Sequence, residues 1–311
     1  MKRVNMLIVA LCLVAVAASC SPRQMAIKEA VGMLDTGITS FEQDTDLEML
    51  EAAFPANIKL CEALLANDPE NRQLRVLLSR MYASYAWAFL EGNYEALSLA
   101  PEPAPDQEAE MAALRYRLSR YYLKGAGYAE KALKQTAAGP CMAAAGIAEL
   151  DACFSQIGEA AVPELFWYAF NLGTWVNQNR DAPDAFSFSQ RARAAMSRVQ
   201  ILDPLYFHGG ALFFFMGYHA AIPEDLGGRP GEVLGFYRQL KQLKGDDFLL
   251  ADLYYARFYL VNQGDREGFE KTLQAVIARH LPEDDPYPLL NVMARQRARI
   301  YLNGADLFFP R

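Results

Sequence analysis

Histidine, cysteine and the common catalytic motifs are scarce in this 311-residue chain. It has three histidines and five cysteines, and neither HExxH, GxSxG, CxxC nor a Walker loop occurs in it. His208 and His219 are eleven residues apart, which separates them by about 16 Å on a helix and excludes a shared metal ion. No set of nucleophile, base and orienting group can be assembled either. The sequence therefore predicts no enzyme, no metal and no cofactor.

The N-terminus has the features of a lipoprotein signal. Lys2 and Arg3 form a positive n-region, residues 6–18 form an apolar segment too short to span a membrane comfortably, and VAASC ends at Cys20. This arrangement predicts cleavage of residues 1–19 and attachment of a diacylglycerol to the Cys20 thiol. Buried acyl chains anchor a protein at about 0.8 kcal/mol per methylene. An ordinary signal peptide followed by a chance cysteine is the alternative.

The mature chain is expected to be a periplasmic domain that touches the membrane through its lipid anchor only. Ser21, where an Asp would favour retention at an inner membrane, indicates the outer membrane instead. Without residues 1–19 the chain has 28 basic and 37 acidic residues, a net charge of −9. Nucleic-acid binding needs clustered Lys and Arg, so this balance argues against it.

Three cysteines remain once Cys12 leaves with the signal and Cys20 is lipidated. An odd number outside the cytoplasm leaves at least one thiol unpaired. Cys141 and Cys153 could pair across a short loop. Cys61 lies in the apolar stretch IKLCEALL, where a cysteine acts as a small buried hydrophobic residue.

Helical spacing of apolar residues runs through nearly the whole mature chain, and β-type alternation is almost absent. Residues 20–44 are predicted to form the lipidated N-terminus with a linker or first helix, and residues 45–311 to form one all-helical domain. The helices predicted in that domain are 57–67, 73–90, 111–133 with a break near Gly125, 147–157, 163–178, 185–201, 205–222, 231–243, 247–262, 266–279 and 288–302.

The short connections between these helices indicate stacked antiparallel pairs, as in repeat proteins. Two helix ends have the same Asp-Pro signal, in LLANDPEN (64–71) and in VQILDPLY (199–206). A proline follows the second helix of a tetratricopeptide repeat in this way, although no tandem consensus is present. The predicted fold is an all-α, tetratricopeptide-like α-solenoid.

The segment 205–222 has no formal charge and approaches the length of a membrane-spanning helix, at roughly 18 residues. It contains two histidines and three glycines, however, and each glycine costs a helix about 1 kcal/mol relative to alanine. No positive residues flank it as topology anchors. These features favour a central helix buried among other helices over a membrane span.

Aromatic residues concentrate in a few helices, next to glycine and alanine. Most of them must belong to the core. A group this rich in Tyr and Trp beside small residues could also line an apolar cavity whose polar tips orient a ligand.

The sequence resembles the T-component (TatT-like) lipoproteins of TRAP transporters over residues 45–308. The resemblance is carried by four blocks in order, of which the third is the most specific: LLANDPENRQLRVLLSRMYASYAWAFLEG, FWYAFNLGTWVNQNRD, LDPLYFHGGALFFFMGYHAAIPEDLGGRPGEVLGFYRQL and MARQRARIYLNGADLFF. Ala211-Leu212 stands where a proline with a polar residue is common in that family.

The resemblance implies a tetratricopeptide-like periplasmic lipoprotein that forms a homotrimer, with a channel or cleft through each superhelix. Its implied partner is the solute-binding protein of a tripartite ATP-independent periplasmic transporter. The implied ligand is small, organic and hydrophobic, with a carboxylate. Aromatic clustering beside small residues in the matching blocks selects candidate cavity residues: Trp87, Trp175, Tyr206, His208 and Tyr218. A scaffold lipoprotein that binds only other proteins is the alternative function.

Overall fold

The computed structural model describes residues 22–102, 104–144 and 146–310. The signal sequence and the lipidation site at Cys20 lie outside the described residues, so both stay predictions. Helices dominate the described residues and no β-strand occurs among them, which confirms the predicted all-α class. The tetratricopeptide-like solenoid arrangement stays a prediction.

The α-helices are numbered here in chain order, with their bounds as observed: α1 Pro22–Gln43, α2 Leu47–Asn67, α3 Arg72–Tyr85, α4 Glu91–Ser98, α5 Gln107–Leu133, α6 Ile147–Phe154, α7 Val162–Gln178, α8 Ala185–Leu202, α9 Tyr206–Ala221, α10 Val233–Lys244, α11 Leu249–Tyr255, α12 Arg266–Ala278, α13 Pro288–Asn303 and α14 Ala305–Phe308. Two π-helical segments, Ala86–Leu90 and Ala256–Leu260, continue α3 and α11. Both segments contribute to the cavity walls described below.

Helix boundaries follow local side-chain chemistry. The turn after α2 ends at Asn71, whose Oδ1 accepts a hydrogen bond from the Leu74 backbone N–H at 2.9 Å. Asp265 caps α12 in the same way, through the Gly268 N–H at 2.8 Å. Such caps satisfy backbone donors that the first helical turn leaves free.

The predicted break near Gly125 is wrong, because α5 runs without interruption from Gln107 to Leu133. A Cβ added at Gly125 would lie 2.3 Å from the Asn171 Oδ1 atom of α7. The glycine therefore permits close packing of α5 against α7. Its conformational freedom is not used to end the helix.

The uncharged segment 205–222 forms α9, which packs against α7, α8, α10 and α11. Its buried residues lie around the helix: Gly209, Gly210, Ala211, Leu212, Phe215, Met216, Tyr218 and His219. Among the described residues, no helix combines the length and apolar character needed to cross a membrane. The segment is a helix of the protein interior.

Among the described residues, two cysteines form a disulfide and one is a free thiol. Cys141 and Cys153 form a disulfide that links the short helical turn before α6 to α6 itself. Cys61 is a free thiol, 1% exposed, with its Sγ atom 3.6 Å from the Met81 Sδ atom. Burial raises the pKa of the Cys61 thiol to about 11, so it stays protonated near neutral pH.

The C-terminal helices return to the N-terminal ones. Helix α13 packs against its neighbours α11 and α12 and also against α1 and α4. Helix α3 packs on α5, α5 on α7 and α7 on α8. This closure places α4, α7, α9, α11 and α13 around a common interior space.

Candidate functional site

Within the described residues, the interior space includes two neighbouring chambers. The large chamber has a volume of about 300 Å³, and the small chamber has a volume of about 80 Å³. Apolar and aromatic side chains form most of both walls. Cavities with such walls and a few placed polar groups are typical of sites for small molecules.

One corner of the large chamber contains a buried charge network centred on Arg297 of α13. Its side chain is 3% exposed. The Arg297 Nε atom lies 3.5 Å from Glu95 Oε2, and its Nη2 atom lies 3.8 Å from Glu91 Oε2. An unpaired buried charge is costly, so the two carboxylates explain why the arginine can lie inside the protein.

Aromatic groups complete this polar corner. The Arg297 guanidinium lies 4.7 Å from the centre of the Trp87 ring and donates to the Trp87 carbonyl oxygen. The Tyr254 hydroxyl accepts hydrogen bonds from Trp87 Nε1 at 2.9 Å and from Arg297 Nη1 at 3.2 Å. Trp87 belongs to the first π segment, and Tyr254 lies two residues before the second. π-Helical segments often occur at functional sites.

The electrostatics of this corner depend on pH. Burial raises the pKa of Glu91 to about 7, while the neighbouring Arg297 guanidinium opposes that rise. Burial likewise raises the pKa of Tyr254 to about 12, so its hydroxyl stays neutral and available for hydrogen bonding. Glu91 is therefore only partly ionised at neutral pH.

The charged residues lining the large chamber carry a positive balance. They are the two glutamates of the corner and three arginines, Arg180, Arg257 and Arg297, of which Arg180 is exposed to solvent. Within the described residues, neither Arg180 nor Arg257 forms an ion pair, and the Arg257 guanidinium lies 4.6 Å from the Phe308 ring centre. Partial protonation of Glu91 increases the positive balance further. Such a lining favours an anion.

The two chambers share one wall, which we call the partition. Its five residues line both chambers: Trp87, Phe170, Phe207, His208 and Leu290. Two of them belong to a left-handed turn at the start of α9, where φ is 46° at Phe207, 59° at His208 and 81° at Gly209. Left-handed backbone is unfavourable for residues with a Cβ, by roughly 1–2 kcal/mol each. Backbone strain of this kind clusters at functional sites.

The small chamber lies beneath α1. Ile38, Phe41 and Glu42 of that helix line it, and Glu42 forms an ion pair with Arg80 of α3. The His208 Nε2 atom lies 4.0 Å from Glu42 Oε2. Burial lowers the pKa of His208, so the imidazole is mostly neutral at neutral pH.

Three of the five candidate cavity residues reach the chambers. Trp87, His208 and Tyr218 line the large chamber, and Trp87 and His208 also line the small one. Their contact with a ligand stays a prediction.

The other two candidates, Trp175 and Tyr206, are not among the lining residues of either chamber. Trp175 donates its Nε1–H to the Ser119 hydroxyl at 2.8 Å, and the Tyr206 ring packs 5.1 Å from the Phe166 ring. Both serve the packing of α7 with its neighbours. Their predicted ligand role has no support in this placement.

Sequence reasoning missed the polar corner. Its signal was an arginine on an apolar helix face, since Arg297 falls at helical spacing between the buried residues Ala294 and Tyr301. A charged residue in that position needs a buried partner. Glu91 and Glu95, four residues apart in α4, supply it. Within the described residues, no cluster of three or more His, Cys, Asp or Glu could hold a metal ion.

Comparison with known proteins identifies one family. The family model described as "TRAP transporter T-component" matches residues 43–309. A protein of Treponema pallidum (strain Nichols), described as an uncharacterized protein, is 26% identical over 266 residues, which are 83% of this chain and 79% of that protein. The matched residues include the polar corner, the left-handed turn and both π segments, whereas α1 precedes them except for Gln43.

Proposed function

This chain belongs to the TRAP transporter T-component family and is therefore an accessory component of a TRAP transport system; on that premise, we propose that it binds a small apolar organic anion in its large chamber. The observation that carries the proposal is the polar corner inside an otherwise apolar cavity. Arg297, Tyr254 and Trp87 offer a fixed set of polar groups there, and the aromatic walls accept the apolar part of a ligand.

The preference for an anion follows from the charged lining. Arg257 lines the chamber without a carboxylate partner among the described residues, while the two glutamates are turned toward Arg297. A cationic ligand would add charge to a lining that is already positive. An anionic head group near Arg257 gains attraction in a site partly withdrawn from water, where charges interact more strongly than in bulk solvent.

We further propose that the protein acts outside the cytoplasm as a lipid-anchored partner of the solute-binding protein of the same transport system. The proposal includes lipidation at Cys20 and an anchor in the outer membrane. It also includes a tetratricopeptide-like solenoid of residues 45–311 and a homotrimer. Family membership supports the association with a transport system, and the signal-like N-terminus supports export. Passage of the ligand between this protein and the solute-binding protein would give the cavity its role.

Two measurements test the ligand-binding function. Native mass spectrometry of the purified chain should detect a bound small molecule that is released on unfolding. Calorimetric titration with dodecanoate should then show binding that Arg257→Gln weakens by about tenfold, the loss of roughly one charge-assisted hydrogen bond of 1.5 kcal/mol. Arg238→Gln is the matched control, since Arg238 is exposed on α10, is not among the lining residues and makes the same change in net charge.

Equal affinities of both variants and the unmodified chain for dodecanoate would contradict the placement of the anion. If no co-purified ligand is detected and dodecanoate does not bind, the alternative is favoured, a scaffold that binds only other proteins. A pull-down with the solute-binding protein, followed by sizing of the complex, tests the partner separately. A complex that forms without any ligand binding to this chain would support the scaffold function.

A further inference from the structure

We propose that the small chamber is a tail subsite, which receives the end of an unbranched apolar chain whose anionic head group lies in the large chamber. This inference rests on the proposed ligand-binding function and assigns each part of the ligand to a chamber. It makes the preferred ligand a single-chain amphiphilic anion.

The chemistry of the small chamber favours an apolar occupant. Its charged groups are compensated within the wall, since Glu42 pairs with Arg80 and Arg80 also lies 5.4 Å from the Phe207 ring centre. The remaining lining is almost entirely apolar, with the following side chains at its centre: Ile38, Phe41, Phe54, Phe89, Leu289 and Met293. A polar head group would lose its hydration there and meet few polar atoms, those of Ser84 and Trp167 besides the compensated groups. A hydrocarbon chain makes no hydrogen bonds with water, so it would lose no polar partner on entering this chamber.

The large chamber differs by the charged groups in its mostly apolar wall. Its corner contains Arg297 and its wall contains Arg257, so the head group has a reason to stay on that side. A ligand anchored by its head group in the large chamber can extend its tail only as far as the surrounding walls permit. Only behind the partition does this wall adjoin a further apolar space, which is the small chamber.

The partition can yield without movement of the backbone. All five partition residues touch both chambers, and each of them is only partly buried. A side chain that is not close-packed on all sides can change rotamer faster than a close-packed core rearranges. On this proposal Leu290 changes rotamer to join the chambers, whereas the Phe207 ring stays packed with its centre 4.6 Å from that of the Trp167 ring. The opening so formed admits a narrow chain, because a branched or ringed tail would displace several side chains at once.

The chain-length dependence of affinity tests the tail subsite. The full chain is titrated with octanoate, decanoate, dodecanoate and tetradecanoate, each below its micelle concentration. Every methylene that becomes buried should lower Kd about fourfold. Ala88→Leu fills the small chamber, since Ala88 lines that chamber and not the large one. It should raise Kd for the two longest alkanoates by at least about tenfold and leave octanoate within about twofold.

Ala221→Leu is the matched control, because Ala221 lines the large chamber and not the small one. It should weaken binding of all four alkanoates by a similar factor. Ser84→Leu repeats the test from another position of the small chamber if Ala88→Leu does not fold. Circular dichroism and thermal unfolding establish folding in each case.

Two outcomes would overturn the inference in different ways. If Ala88→Leu and Ser84→Leu change the affinity for short and long chains equally, or change neither, the tail does not enter the small chamber although the ligand-binding function stands. If the unmodified chain binds no alkanoate at all, the ligand-binding function itself fails and the tail subsite with it.

Discussion

Single side chains in the polar corner have properties that depend on neighbours far away in the chain. Glu91 and Arg297 are separated by most of the sequence, yet the Arg297 guanidinium opposes the rise that burial gives the pKa of Glu91. The aromatic candidates were selected by clustering along the chain, and clustering cannot tell which face of a helix a ring occupies. Clustering therefore did not distinguish Trp87, which lines the cavity, from Trp175, which donates a hydrogen bond to Ser119.

Glu91 should make the stability of the protein depend on pH in a defined window. Its pKa rises from about 4.5 to about 7 on folding, so the folded state binds more protons than the unfolded state between these values. Stability contributed by protonated Glu91 is therefore complete below pH 4.5 and is lost as the pH rises to about 7. Glu91→Gln, which cannot ionise, should become progressively more stable relative to the unmodified chain across that window.

The measurement is urea unfolding of both proteins at a series of pH values. The difference between them separates the effect of Glu91 from that of titrating groups that both proteins share, such as His208 and His219. A difference in stability that stays constant from pH 4.5 to pH 7 would contradict an elevated pKa of Glu91 in the folded state.

At the scale of helices, periodicity and capping residues predicted most of what is observed. The NDPEN sequence marked the end of α2 and the start of α3, and the period of the apolar residues marked α7, α8 and α13 close to their observed bounds. Periodicity could not predict the π segments, because an added residue in a helical turn leaves no local signal. It also predicted, wrongly, a break at Gly125. That glycine is needed for close packing against Asn171 of another helix, which periodicity within α5 cannot indicate.

The packing role of Gly125 leads to a paired substitution. Gly125→Ala should destabilise the protein by about 1–3 kcal/mol, because the new Cβ would meet the Asn171 side chain, which is buried and donates to the Ser79 hydroxyl at 3.1 Å. Gly127→Ala, two residues along the same helix, has open space around its Cβ position. It should stabilise the protein by about 0.5–1 kcal/mol.

Chemical denaturation of the two variants provides the comparison. Because both replace glycine by alanine in α5, they change helix propensity equally, and the difference between them reports the contact with Asn171. Equal effects of the two substitutions would show that α5 and α7 can separate at no cost.

At the scale of the whole molecule, the charge network ties the two ends of the chain together. Arg297 belongs to α13 near the C-terminus, whereas Glu91, Glu95 and Trp87 belong to the N-terminal third. The sequence indicated an all-helical chain but not this closure, because contacts between distant helices leave no periodic trace. The cavity follows from the closure, so sequence reasoning could predict it only from the aromatic-rich helices and from the family resemblance, without the residues that form its polar corner.

Removal of the central arginine should weaken the entire fold. Arg297→Ala leaves two buried carboxylates without their cation and should cost about 3–5 kcal/mol. Arg299→Ala, on the exposed face of the same helix, removes the same charge and should change stability by less than about 0.5 kcal/mol. Thermal unfolding followed by circular dichroism distinguishes the two, and a small effect of Arg297→Ala would show that water can replace the guanidinium.

The left-handed turn at Phe207 and His208 also restricts which sequences can preserve this partition over evolutionary time. Valine, isoleucine and threonine have two heavy substituents on Cβ and are strongly disfavoured at positive φ, where glycine, asparagine, aspartate and histidine are tolerated. Substitutions at these two positions are thus limited to fewer residue types. The preceding residues have ordinary backbone angles, so that limit does not apply to them. A relative with a β-branched residue at either position must have rebuilt the turn, and the boundary between its chambers with it.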